Sequence, residues 1–164
     1  MRVLYERNDI AYAKLFFKKS GFITKDWYPY FLAARRGGNT FEETYADGTV
    51  SHFAKRIYDV VTAHGQLPVE AIKSLAGFTK EDKSGFDRAL TELQMKMFLT
   101  MCGQHQKSAW PSTVFCTTEA FFGDAVFRKA DKINEDEAFE KIKAQILKLN
   151  PSAQEKKIRK FIFG

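Results

Sequence analysis

The hydrophobic period of this chain changes at Met97, and that change limits the folds open to it. Phe86, Leu90, Leu93 and Met97 recur at intervals of four, three and four, one stripe of a helix. Immediately behind, residues 97–102 and 112–118 are rich in β-branched and aromatic side chains, and Gly103 to Pro111 separate them. These runs read as two strands joined by a long hairpin loop. Ahead of the stripe, Phe53, Ile57, Val60 and Val61 predict a helix over 50–64. Gly65-Gln66-Leu67-Pro68 breaks it, with Pro68 placed at the start of a short helix carrying Val69, Ile72 and Leu75. Gly77 closes that helix, and Thr79 with Asp82 three residues on reads as the cap of the next. Residues 50–118 therefore run helix, short helix, helix, strand, loop, strand.

The flanks read as helical. Ile10, Leu15, Phe16 and Phe17 suggest a helix over 9–19 ended by Ser20-Gly21, and a second follows Asp26 to Arg36, stopped by Gly37-Gly38. Pro29 fits only the first turn of that second helix. Residues 39–47 are ambiguous. After 118, a helix over 120–130 is expected. Asn134 with Glu137 then opens one bearing Phe139, Ile142, Ile146 and Leu149, and Asn150-Pro151 ends it. Residues 153–163 form the last, with Ile158, Phe161 and Ile162 inward. The expected class is α+β and mostly helical: a core at 50–118, an N-terminal helical extension over 1–49 and a C-terminal one over 119–164 packed on it.

Composition narrows the classes. The 164 residues are 45% hydrophobic and 28% charged, the balance of one globular domain, and the aromatic content of 15% suffices for a core. Phe16-Phe17, Trp27, Tyr28, Tyr30 and Phe31 are most simply core packing. Two cysteines exclude a disulfide scaffold, and no apolar run approaches the roughly 18 residues of a membrane span. A reduced, cytoplasmic protein is expected, with no membrane partner. The net charge of +6 leans toward a polyanion, although it is spread evenly, +2 in each of 1–50, 51–117 and 118–164. The densest basic cluster is Lys156, Lys157, Arg159 and Lys160.

The helix, turn, helix and hairpin over 50–118 resemble a winged helix-turn-helix, carried by His64-Gly65-Gln66-Leu67-Pro68, Gly77-Phe78-Thr79 and the run from Leu90 to Leu99. Such modules bind DNA by placing the third helix in the major groove. The longer register resembles the AlkZ-like DNA glycosylases and their shorter relatives, through Trp110-Pro111-Ser112-Thr113, Asn150-Pro151 and Ile158-Arg159-Lys160-Phe161-Ile162. That resemblance implies a catalytic signature of Gln, a hydrophobic residue, then Gln or Asp, beside a helix near the N-terminus. The first fifty residues here contain no Gln, and Gln104-His105-Gln106 is the similar spelling, placed in the expected wing.

The winged-helix reading supplies the candidate site residues. The outward face of the third helix carries Lys80, Ser84, Asp87, Arg88, Thr91 and Met95. Arg88 suits guanine, and Lys80, Ser84 and Thr91 suit phosphate or base. Gln104, Gln106 and Lys107 are the expected wing contacts. Residues 79–96 hold four basic and four acidic side chains, so this helix is net neutral. The function expected is duplex DNA binding by a transcription regulator or genome-maintenance accessory. A protein–protein interaction module and an AlkZ-like glycosylase are the alternatives. No phosphate loop, dinucleotide fingerprint or zinc helix occurs, so no catalytic residue, metal or cofactor is assigned. Cys102, His105 and Cys116 lack a fourth zinc ligand, and the hairpin register expected from sequence sets the two thiols apart. A homodimer through Phe139, Ile142, Ile146, Leu149, Ile158, Phe161 and Ile162 is a further expectation.

Overall fold

Residues 7–105 and 111–164 are described by a computed structural model of the chain. The segment read as a helix over 9–19 is an antiparallel hairpin of β1 (Ile10–Phe16) and β2 (Lys19–Thr24). Burial in β1 alternates, with Ala11, Ala13 and Leu15 inward, so the true period is two. The two alanines, too small to register as an apolar stripe, carry that alternation. The turn, Phe17-Lys18, has both residues in the left-handed region (φ 52° and 61°) and no glycine to announce it.

Helix α1 (Tyr28–Arg36) follows with Pro29 in its first turn and left-handed Gly37 as its C-cap. The ambiguous 39–47 stretch contains α2 (Phe41–Ala46), opened by a reciprocal capping box between Thr40 and Glu43. Helix α3 (His52–His64) is capped by Ser51. Strand β3 (Leu67–Pro68), α4 (Val69–Leu75) and α5 (Lys83–Met95) come next. Met97 turns sharply at φ 63°, and the chain enters β4 (Leu99–His105) and later β5 (Ser112–Thr117). The helix expected over 120–130 is two, α6 (Thr118–Phe122) and α7 (Asp124–Ala130), because Gly123 at φ 74° interrupts it. Helices α8 (Glu135–Leu149) and α9 (Glu155–Phe163) finish the chain, Asn134 capping the first through the Glu137 N–H.

The strands form one antiparallel sheet in the order β2-β1-β4-β5-β3, an α+β architecture. Two apolar clusters flank it. One joins the β1–β2 hairpin and α1 to α7, α8 and α9; the other runs from Phe41 through Ile57, Phe86 and Leu93 to Phe115. Residues near the two ends of the chain thus share one core, joined by Met97, while most of the helix-helix-helix-hairpin segment packs with Phe41 of α2 in the other. Of the side chains expected at a dimer contact, Phe139, Ile142, Ile158 and Ile162 lie inside that shared core. No helix among the described residues is long and apolar enough to cross a membrane.

Candidate nucleic-acid interface

Helix α5 buries Phe86, Ala89, Leu90 and Leu93 against α3 and the sheet, which leaves its opposite face to solvent. Its entry is set by Asp82, whose carboxylate accepts from the Thr79 N–H (2.8 Å) and hydroxyl (3.0 Å). These bonds hold the Asp82 carboxyl below the usual carboxylate range. Lys80 therefore sits in the turn before the helix, exposed, and not on the helix itself.

Ser84, Arg88 and Thr91 line an open cleft of about 860 Å³. Its other wall comes from the β1–β2 hairpin, through Lys14 and Lys18. The two walls are tied by buried Gln94 of α5. Its Oε1 accepts the Lys14 N–H at 2.9 Å, and its Nε2 donates to the Leu90 carbonyl at 3.0 Å. Thr91 donates its hydroxyl to the Asp87 carbonyl at 2.9 Å, which leaves the oxygen lone pairs for a ligand. Among the described residues Arg88 reaches back only to the Ser84 carbonyl at 3.4 Å. It stands on a ridge, since it also lines a second depression with Ser51, His52 and Phe53.

Cations and acids share the cleft. Lys14, Lys18, Lys83 and Arg88 form no ion pair with any described residue. Of the acids, Glu92 is engaged with the Ser51 N–H and hydroxyl, whereas Glu81 and Asp87 face the opening. Lys14 and Lys18 escape detection in the sequence because their placement depends on a hairpin whose turn carries no turn residues.

The wing candidates lie elsewhere. Gln104 is exposed on β4 opposite Thr113, outside the residues lining the cleft, and Gln106 and Lys107 fall outside the described residues. His105 pairs in register with Ser112, whose hydroxyl donates to the Glu70 carboxylate of α4. That bond, with the Glu70 N–H, lowers the Glu70 pKa, and His105 adds a smaller effect. Glu70 is a carboxylate beside the hairpin base that sequence spacing cannot reveal, because 42 positions separate it from Ser112.

The two cysteines lie closer together than the expected hairpin register places them. A bulge at Cys102, between Met101 and Gly103, shifts the register so that Cys116 faces Thr100. The two thiols consequently interact: the Cys116 thiol is pushed up by Cys102 and by burial, and Cys116 pulls the Cys102 thiol down. Among the described residues no three His, Cys, Asp or Glu side chains are grouped to hold a metal ion.

A model of the family described as AlkZ related matches residues 1–163. No curated protein and no solved structure matches the chain.

Proposed function

The chain belongs to the AlkZ-related family, and on that premise we propose that it binds duplex DNA as a transcription regulator or genome-maintenance accessory in the cytoplasm. In this reading residues 50–118 act as a winged helix-turn-helix, with α5 as the helix that enters the major groove. The observation that carries the reading is the solvent-facing edge of α5, where Ser84, Arg88 and Thr91 line one cleft and Arg88 has no acidic partner among the described residues. An unpaired guanidinium flanked by two hydroxyls suits guanine and phosphate together. Lys80 sits beside this edge, and Gln104, Gln106 and Lys107 serve as wing contacts. A mobility-shift assay on duplex DNA at low ionic strength tests this. Wild type should shift the duplex and Arg88→Ala should weaken the shift about 5- to 150-fold, the equivalent of roughly 1–3 kcal/mol for a bidentate base contact. Tight binding to a protein bait, with no duplex shift and no effect of Arg88→Ala, would support the interaction-module alternative instead.

One further observation favours a second reading, base excision. The Glu70 carboxylate stands against Ser112, directly across from His105 of the Gln104-His105-Gln106 segment. Glycosidic cleavage builds positive charge on the sugar, and an ionised carboxylate close to it supplies the matching field. Incubation with alkylated duplex distinguishes the two readings. Base release that is lost in Glu70→Gln and in Gln104→Ala/Gln106→Ala supports excision; equal background in every variant leaves binding alone.

A further inference from the structure

The β1–β2 hairpin ends in a turn whose two central residues, Phe17 and Lys18, both adopt left-handed backbone (φ 52° and 61°). Asn-Gly is the usual occupant of such a turn, and each residue with a Cβ there costs about 1–2 kcal/mol. Strain of that kind persists where the side chains serve a purpose. The two side chains divide the work between two surfaces. Phe17 lies against Phe161 of α9, ring centroids 6.4 Å apart, while Lys18 lines the cleft facing α5.

The hairpin is held as a rigid arm. Phe16 stacks on Phe161 with centroids 4.1 Å apart and planes 5° apart. Gly21, paired with Ala13 on the facing strand, leaves room for the ring, since a Cβ there would stand 2.6 Å from Phe16 Cδ2. The Lys14 N–H bond to Gln94 fixes the strand to α5. The charge of the two cleft walls then differs in kind. On the α5 side Lys83 and Arg88 alternate with Glu81, Asp87 and Glu92; on the hairpin side Lys14 and Lys18 are the only charges. A mixed wall suits discrimination and a purely cationic wall suits an unvarying polyanion.

We infer that the β1–β2 hairpin is a second, sequence-independent arm of the interface, with Lys14 and Lys18 each taking a backbone phosphate of the duplex whose groove α5 enters. This rests on the duplex-binding reading. It also accounts for how a net-neutral reading helix meets DNA, because the needed positive charge comes from the other wall of the same cleft.

The test is fluorescence anisotropy with two labelled duplexes of unrelated sequence, titrated through salt, for wild type, Lys14→Gln/Lys18→Asn and Arg88→Ala. Asn tolerates the left-handed turn, so the double variant should melt no lower than wild type. Each lost phosphate contact removes about 0.9 from the slope of log K against log salt, so the double variant should lose about 2, equally on both duplexes. A wild-type slope in the double variant, while Arg88→Ala still weakens binding, overturns the arm and leaves the duplex reading standing. A loss confined to one sequence also overturns it. Absence of duplex binding by wild type overturns both.

Discussion

Arg35 donates from Nε to the carbonyl of Ile162 at 2.8 Å, joining α1 to the last turn of α9 across 127 positions. The same guanidinium donates to the carbonyls of Phe161, Leu15 and Met95, all at 2.8 Å, and packs between the rings of Phe16 and Phe31. Three of these carbonyls end helices, where four acceptors are left without intrahelical donors and the dipole is negative. Arg35 therefore fastens the hairpin, α5 and α9 with one group and without a carboxylate. Arg35→Met should cost on the order of 3–5 kcal/mol in urea unfolding, since several partly buried carbonyls lose a charged donor together. Arg35→Lys should recover little of this, because an ammonium cannot span the same fork. A loss below about 1 kcal/mol for Arg35→Met would contradict the account.

Much of this framework was legible in sequence where caps and stripes coincide. Pro29 and Gly37 bound α1, and Phe86, Leu90 and Leu93 of the expected stripe face the core, whereas Met97 lies past the end of the helix and packs into the other cluster. The hairpin was illegible because Ala11 and Ala13 carry its inward face and Phe17-Lys18 its turn. Half the cleft was hidden with it. Glu70 at the hairpin base and the thiol contact of Cys102 with Cys116 depend on tertiary placement and on a bulge, neither of which leaves a local signal.

Gly85 lies inside α5, where an alanine ordinarily adds about 1 kcal/mol of stability. Here a Cβ would stand 2.5 Å from Phe53 Cε2, a ring already set edge-on to Phe78 with centroids 5.0 Å apart. Gly85→Ala should accordingly destabilise, by roughly 1–3 kcal/mol of overpacking. A thermal melt at or above the wild-type midpoint would show that Phe53 yields freely.

The Thr79–Asp82 turn sets a pH dependence. The folded pKa of Asp82 is depressed by its bonds from Thr79. Its contribution is complete above the ordinary carboxylate pKa of about 3.9 and is lost as pH falls through the lower folded value. Asp82→Asn should flatten part of the acid limb of a melting-temperature profile below about pH 4. An unchanged limb would mean the turn is held by other bonds.

The cysteine pair should react unequally. Cys102 is partly exposed with a lowered pKa, while Cys116 is buried and raised. Because the thiolate is the nucleophile, iodoacetamide should label Cys102 first, as read by peptide mass spectrometry over time. Equal labelling, or Cys116 ahead, would contradict the described contact.

The proposed grip on a duplex uses the charged and hydroxyl groups of α5 and the neighbouring cleft. Its most direct test is the affinity of the wild-type protein for duplex DNA measured as salt is raised. The account predicts clear binding at low ionic strength and a straight fall of log K with log salt, about 0.9 for every phosphate engaged and several units in all. Failure to bind duplex even at low ionic strength, or an affinity indifferent to salt, would contradict it.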